Sequence, residues 1–193
     1  MRVVAGTARS IPLKSREGID TRPTADRVKE AVFNILQFDV PGARVLDLFG
    51  GSGQLAIEAL SRGAESAVIV DNSPEALSVI RENLERTRLK EHAQTVRADY
   101  LEYLDRCRDS FRLIFLDPPY REIFLETALK RISEIDILKS GGIIVCEKPL
   151  DKTLSPVYGE LRCTKEYRYG KTSIAIYRKE TLLSDDHTGG RKT

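Results

Sequence analysis

Residues Arg44 to Gly53, RVLDLFGGSG, constrain the fold of this 193-residue chain more than any other stretch. Val45, Leu46 and Leu48 form a short apolar run interrupted by a carboxylate, Asp47, and Gly50, Gly51 and Gly53 follow at once. Leu55, Ala56, Ile57, Ala59 and Leu60 come next at helical spacing, with no breaker until Gly63. A strand, a glycine turn and a helix in that order let backbone press closely against a ligand. Glycines carry no Cβ, so the chain bends sharply and leaves its N–H groups bare at the helix start. No Lys-Ser or Lys-Thr pair follows the last glycine, which excludes a Walker A phosphate loop. The pattern Gly51, Gly53, Ala56 is shared by several kinds of nucleotide binder, and a tight turn without any ligand gives the same letters. The rest of the chain decides between these readings.

Strands and helices alternate downstream. Ala67–Val70 reads as a second buried strand ending at Asp71, and Ser73-Pro74-Glu75 is a helix start whose apolar face runs through Ala76, Leu77, Val79, Ile80, Asn83 and Leu84. Gln94–Arg97 is a third strand with Asp99 just after it, and Leu101 and Leu104 mark a short helix reaching about Cys107. Phe111–Leu116 is a fourth strand running into Asp117-Pro118-Pro119-Tyr120, followed by a helix carrying Phe124, Leu125, Ala128, Leu129 and Ile132. Gly141-Gly142 open a fifth strand, Ile143–Cys146, and Leu161 to Arg178 alternate around Tyr169-Gly170-Lys171 as an antiparallel hairpin. Upstream, Thr24 is placed to cap a helix just past Pro23, with Val28, Ala31, Val32, Ile35 and Leu36 on one face. Residues 1–22 hold short apolar pieces between glycines and read as a small β-hairpin arm.

The expected fold is therefore α/β: a doubly wound, mostly parallel, seven-stranded sheet with a C-terminal antiparallel hairpin. One domain spans 1–180, with the arm at 1–22 and the core at 23–180, and the polar stretch 181–193 is expected to be a disordered tail. A content of 41% hydrophobic and 31% charged residues supports a sizeable core. No apolar run approaches the roughly 18–20 residues of a membrane helix, and MRVVAGTARS shows no secretory signal. Cys107, Cys146 and Cys163 are scattered without a CxxC, which argues against a disulfide framework or zinc and for a reducing cytoplasmic setting. A net charge of +2 is too small to argue for nucleic acid, but Arg2, Arg9, Lys14, Arg16 and Arg22 make the first 22 residues locally basic.

Open parallel sheets bind ligands beyond the carboxyl ends of their strands. Asp47, Asp71, Asp99 and Asp117 all fall at or just past such ends, so they line one rim. Four carboxylates there are costly unless a ligand uses them, and a cationic ligand with a sugar and an adenine would do so. Asp71 lies 18 positions after Gly53, close to the ~20-residue offset at which a carboxylate reaches a ribose hydroxyl. Asp99 suits an adenine amino group, and Asp47 the positive end of the ligand; each could instead merely cap the next turn. In Asp117-Pro118-Pro119-Tyr120, two prolines fix the backbone and remove two donors. A carboxylate and a carbonyl side by side can hold both hydrogens of one exocyclic amine, and Tyr120 offers a face for a flipped base.

Taken in order, VLDLFGGSG, VDNSPEAL, RADYLEYL and LDPPY resemble the S-adenosylmethionine-dependent methyltransferases that act on exocyclic amines. RPTADRVKEAVFNIL and EALSRGA resemble more closely the bacterial 16S rRNA guanine-N2 methyltransferases of the RsmD family, over about residues 1–180. The resemblance implies a Rossmann-like class I methyltransferase fold and S-adenosylmethionine as cofactor. It also implies methylation of N2 of one guanine in 16S ribosomal RNA, free or in an assembling 30S particle, by a cytoplasmic monomer without metal or membrane. By this likeness Asp47, Phe49, Gly50, Gly51, Ser52, Gly53, Asp71, Asn72, Asp99 and Tyr100 bind the cofactor. Asp117, Pro118, Pro119 and Tyr120 hold the base, and Arg22 and Thr24 lie near the cofactor's methionine end or the RNA. Arg2, Arg9, Lys14, Arg16, Arg168 and Lys171 would contact phosphates, so that RNA affinity falls steeply with salt. Thr7-Ala8-Arg9-Ser10 departs from the more basic stretch expected there, and Gln54 from the usual small residue after the glycine turn. Competing readings are an NAD-dependent oxidoreductase, which needs no DPPY, a methyltransferase for adenine N6 or a protein glutamine, and a non-catalytic RNA-binding module.

Overall fold

Apolar runs and amphipathic stretches assemble, in the computed structural model, into one sheet covered by helices on both faces; residues 1–15, 23–119 and 123–179 are described. Arg16, Arg22, Tyr120 and the expected tail at 181–193 lie outside the described residues, as does the side chain of Thr24. In chain order the elements are α1 (Pro23–Ile35), β1 (Arg44–Asp47), α2 (Gln54–Ser61), β2 (Ser66–Asp71) and α3 (Pro74–Thr87). After a 3-10 turn at Lys90–His92 come β3 (Ala93–Arg97), α4 (Tyr100–Arg106), β4 (Phe111–Leu116), α5 (Phe124–Ile135) and β5 (Leu138–Pro149). β6 (Val157–Tyr158), β7 (Leu161–Tyr169) and β8 (Thr172–Lys179) complete the sheet. Its order is β3-β2-β1-β4-β5-β8-β7-β6. The first five strands pair in parallel, and β8, β7 and β6 join antiparallel. The winding reverses between β1 and β4, which places a crevice outside the carboxyl ends of those strands.

Strand alternation sorts the core into two layers. Val45, Ile69, Leu113, Phe115, Ile143 and Val145 face α1, α2 and α3 through Val32, Phe33, Ile57, Leu77 and Ile80. Leu46, Val68, Ile114, Leu116, Ile144 and Cys146 face α4 and α5 through Leu104, Leu125, Leu129 and Ile132. The buried strands are near-continuous apolar runs because helices cover both faces. Burial pushes the Cys146 thiol far above its ordinary pKa.

The sheet differs from expectation in two places. Among the described residues it has eight strands and not seven, the extra one being the two-residue β6. β5 also begins at Leu138, well before the glycine pair. Phe111 pairs with Leu138 and Leu113 with Ile143, so a bulge absorbs residues 139–142, and any Cβ at Gly142 would lie 2.7 Å from the Lys139 carbonyl.

The N-terminal segment, expected as a small β-hairpin arm, packs into the core. Among its described residues one antiparallel bridge, Arg2 to Pro12, is all the ladder, and Val3, Ala8 and Leu13 are buried in the core. Its backbone finds partners on α2 instead, because an irregular segment can be buried only if its polar groups are satisfied. The buried Glu58 carboxylate accepts the Val4 and Ala5 N–H groups at 2.8 and 3.0 Å and Arg62 Nε at 2.8 Å. Ser61 Oγ accepts the Ala8 N–H and donates to the Ala5 carbonyl. Lys29 Nζ, 3.7 Å from Glu58, donates to the Arg2 carbonyl. Gly6 (φ +84°) passes so close to Ser61 that no Cβ would fit. Among the described residues no helix is long and apolar enough to cross a membrane.

Asn83, buried on α3, fastens the far end of this segment. Its Oδ1 accepts the Lys14 N–H at 2.8 Å, and Nδ2 donates to the Lys14 and Ser52 carbonyls, each at 2.9 Å. Replacing it by alanine strands three backbone groups. Asn83→Ala should cost about 2–4 kcal/mol in urea-induced unfolding; a loss below about 0.5 kcal/mol would show that the amide holds nothing in place.

Candidate functional site

The glycine turn is built by hydrogen bonds that only a close backbone approach allows. Gly50 N–H donates to the Val70 carbonyl at 2.8 Å, Gly53 N–H to the Gly50 carbonyl at 2.7 Å, and Ile57 N–H to the Gly53 carbonyl at 2.9 Å. A Cβ at Gly50 would sit 2.6 Å from Ile69 and 2.9 Å from Ile80. Gly51 and Gly53 take φ of +58° and +76°, in the left-handed region that disfavours side chains. Asp71 then clamps the turn, accepting Gly51 N–H on Oδ2 at 2.8 Å and Ser73 N–H on Oδ1 at 2.9 Å.

Beyond the ends of β1, β2 and β4 lies a cavity of about 530 Å³. Asp47, Phe49, Gly50, Gly51, Ser52, Asp71, Asn72, Asp99, Tyr100, Asp117, Pro118 and Pro119 all line it, so most of the residues expected at the site share one wall. Gly53 does not; it packs behind the turn toward Ile57 and Ile80 and shapes the wall from outside. Asp99 also caps α4, accepting Leu101 N–H at 2.9 Å, so capping and lining are both served by one carboxylate. Phe49, Tyr100 and Phe124 form an aromatic group with ring centroids 5.2 to 6.1 Å apart.

Asp47 is 1% exposed and takes backbone N–H bonds from Phe49 and Ala56, yet among the described residues its Oδ1 has no partner. Gln54 Oε1, on the same cavity wall, is a second buried acceptor without a donor among the described residues. Burial pushes the Asp47 carboxyl up to about 7, and the nearby Asp71 adds to the shift. Two orphaned acceptors of this kind mark the place for a donor-rich, positively charged group.

Asp117 stands one residue past β4, and Glu147 lies within β5. The pairing of Leu116 with Cys146 sets these carboxyls side by side, on the sheet face shared by Phe115 and Val145. Burial holds Asp117 well above the ordinary carboxylate range, with Glu147 and then Asp47 adding to the shift; burial raises Glu147 as well. Glu147 and Phe124 also line this cavity and are not among the site residues expected from the sequence. The available signal for Glu147 was a lone carboxylate ending an apolar run, in phase with Ile143 and Val145.

The basic residues do not share one surface. Arg168 and Lys171 are exposed at the β7–β8 turn, which the pairing of Pro149 with Thr172 sets at the carboxyl edge of the parallel strands. Lys14 lies near Ser52 through Asn83 and pairs with Glu82 at 2.7 Å; Arg2 is exposed. Arg9 sits in the turn packed against Ser61, at the far end of α2 from the glycine turn, because Ser61 supplies the partners that turn needs. It therefore lies away from the other four expected phosphate contacts that are described, Arg2, Lys14, Arg168 and Lys171.

A model of the family described as conserved hypothetical protein 95 matches residues 1–178. The Bacillus subtilis protein YlbH, named with a provisional rRNA methyltransferase assignment, is 42% identical over 182 residues, covering 93% of this chain and 99% of YlbH. The Haemophilus influenzae protein named ribosomal RNA small subunit methyltransferase D is 33% identical over 159 residues, 80% of this chain and 81% of the relative. Among solved structures, the Escherichia coli protein yhhF superposes with a TM-score of 0.82 at 28% identity, covering 94% of this chain and 98% of that one.

The raised Asp47 carboxyl has a consequence for stability. Between about pH 4 and pH 7 the folded chain keeps a proton that the unfolded chain has released, so stability falls as pH rises through this window and levels off above it. Asp47→Asn removes this dependence. The variant should gain on the parent by up to roughly 4 kcal/mol between pH 4 and pH 8, read as urea midpoints at the two pH values. A difference between the two proteins that does not change with pH would contradict the assignment.

Proposed function

The chain belongs to the family described as conserved hypothetical protein 95, and from that membership and the chemistry of the cavity we propose that it is an S-adenosylmethionine-dependent methyltransferase acting on the exocyclic N2 of a guanine in small-subunit ribosomal RNA. The observation that carries this reading is the Asp117-Pro118 pair on the wall of a cavity that also holds the glycine turn. Relatives named ribosomal RNA small subunit methyltransferase D support the RNA substrate.

The residues present fit the cofactor. Asp47 Oδ1 and Gln54 Oε1 offer buried acceptors to its ammonium and sulfonium end, and Asp71 stands at the offset expected for a ribose hydroxyl. Phe49, Tyr100 and Phe124 give an apolar wall beside Asp99 for an adenine. When bound, S-adenosylmethionine supplies a methyl group on a positive sulfur, which an amine nitrogen can displace.

The chain's own residues prepare that nitrogen. The lone pair of guanine N2 is delocalised into the ring, so the amine is a poor nucleophile until its hydrogens are held. Asp117 accepts one N2–H, and the Pro118 carbonyl accepts the other, favouring a pyramidal nitrogen. Nitrogen must lose one proton as it gains a carbon, and the Asp117 carboxylate takes it. Its raised proton affinity, from burial and from Glu147, suits that task. Arg168 and Lys171 at the rim, with Lys14 and Arg2, would meet RNA phosphates. The protein acts in the cytoplasm as a monomer, on free RNA or on an assembling small subunit.

Asp117→Ala tests the assignment. Tritium transfer from labelled donor to small-subunit rRNA should fall about 100-fold or more, with N2-methylguanosine as the product lost on nucleoside mass analysis. Calorimetric affinity for S-adenosylhomocysteine should stay within a few-fold, which also reports folding. Turnover within a few-fold of the parent would refute the role of Asp117.

A further inference from the structure

We propose that Glu147 reads the Watson–Crick edge of the acceptor base, taking the N1–H of guanine while Asp117 takes an N2–H, and so makes the site select guanine. The inference rests on the function proposed above and deepens it by naming a specificity residue.

Three observations carry it. Asp117, one residue past β4, and Glu147 in β5 each directly follow the paired residues Leu116 and Cys146 of these neighbouring parallel strands, and both line the cavity. Strand neighbours lie about 4.8 Å apart, which matches a pair of acceptors to a base edge whose donors are adjacent. Among the described residues no hydrogen bond or ion pair satisfies either carboxyl, and Glu147 has the apolar Ile174 opposite it in β8 and Val145 on its own face. Two such groups side by side raise each other's proton affinity and are costly to keep unless a ligand brings donors.

The donors that fit are those of guanine. Its edge presents N1–H and N2–H next to one another. Adenine presents N1 as a bare acceptor, which would face the Glu147 oxygens and repel them. A site built to bond a particular N–H rejects an analogue lacking it far more strongly than a shape-selective site does. Asp47, the other carboxyl near Asp117, is the acceptor assigned above to the cofactor, which leaves Glu147 for the base.

2-Aminopurine separates the two roles, since it keeps the N2 amine and lacks the N1–H. An rRNA fragment that the parent methylates is prepared with its target guanine or with 2-aminopurine in its place, and kcat/KM is measured for the parent, Glu147→Ala and Glu147→Gln. The parent should prefer guanine by about 100-fold or more, and Glu147→Ala by less than about tenfold, the loss falling on the guanine substrate. Glu147→Gln keeps a neutral acceptor and should fall between them; affinity for S-adenosylhomocysteine shows that each variant is folded. If Glu147→Ala does not fold, the Gln variant carries the comparison. Equal losses on both substrates, leaving the preference as in the parent, would overturn the proposal while the function stands. A parent that transfers no methyl to guanine N2 in any small-subunit RNA would overturn the function, and this inference with it.

Discussion

Asp71 gives one carboxylate oxygen to the Gly51 N–H and the other to the Ser73 N–H, and so joins the turn after β1 to the start of α3. The rest of the site depends on that bridge. It fixes the glycine turn against the end of β2, where Gly50 has no room for a side chain, and thereby sets the position of Phe49, Gly51 and Ser52 on the cavity wall. Asn83 reinforces it from behind, holding the Ser52 carbonyl and the backbone of Lys14 together. A loop with three glycines would otherwise sample many conformations. Here it is held at both ends by groups that the helix and strand already present.

The cavity concentrates negative charge on one face of the sheet. Asp47, Asp117 and Glu147 project from three neighbouring strands, and all three hold their protons more tightly than free carboxyls do. Such a wall is unfavourable in the free protein, and a cation or a row of N–H donors would relieve that cost. The neighbouring buried charges are treated differently. Glu58 is surrounded by backbone N–H groups, Arg62 and Lys29, and serves only to hold the N-terminal segment against α2. Satisfied and unsatisfied carboxyls therefore lie within the same layer of the molecule.

Much of this was legible in the sequence because it is local. The strand, glycine turn and helix of β1 and α2 are set by neighbouring letters, and Asp47, Asp71, Asp99 and Asp117 stand at strand ends that the apolar runs themselves define. Glu147 was not legible, because its place beside Asp117 depends on the register between β4 and β5, which a bulge of four residues adjusts. Phe124 read as one more apolar position on a helix face, and only the packing of α4 beside α5 turns it toward Phe49 and Tyr100. The N-terminal segment was read as an arm since its short apolar pieces form no periodic pattern. Its burial is decided by Glu58, Ser61 and Asn83, which lie 50 or more residues away in sequence.

Cys146 points into the layer beneath α5 and does not line the cavity, and its thiol is both enclosed and strongly protonated. Only the thiolate attacks an alkylating reagent, so this sulfur is shielded twice over while β5 stays in place. Its labelling rate is thus a clock for transient separation of the central strands, one that runs without disturbing the ligand-binding wall.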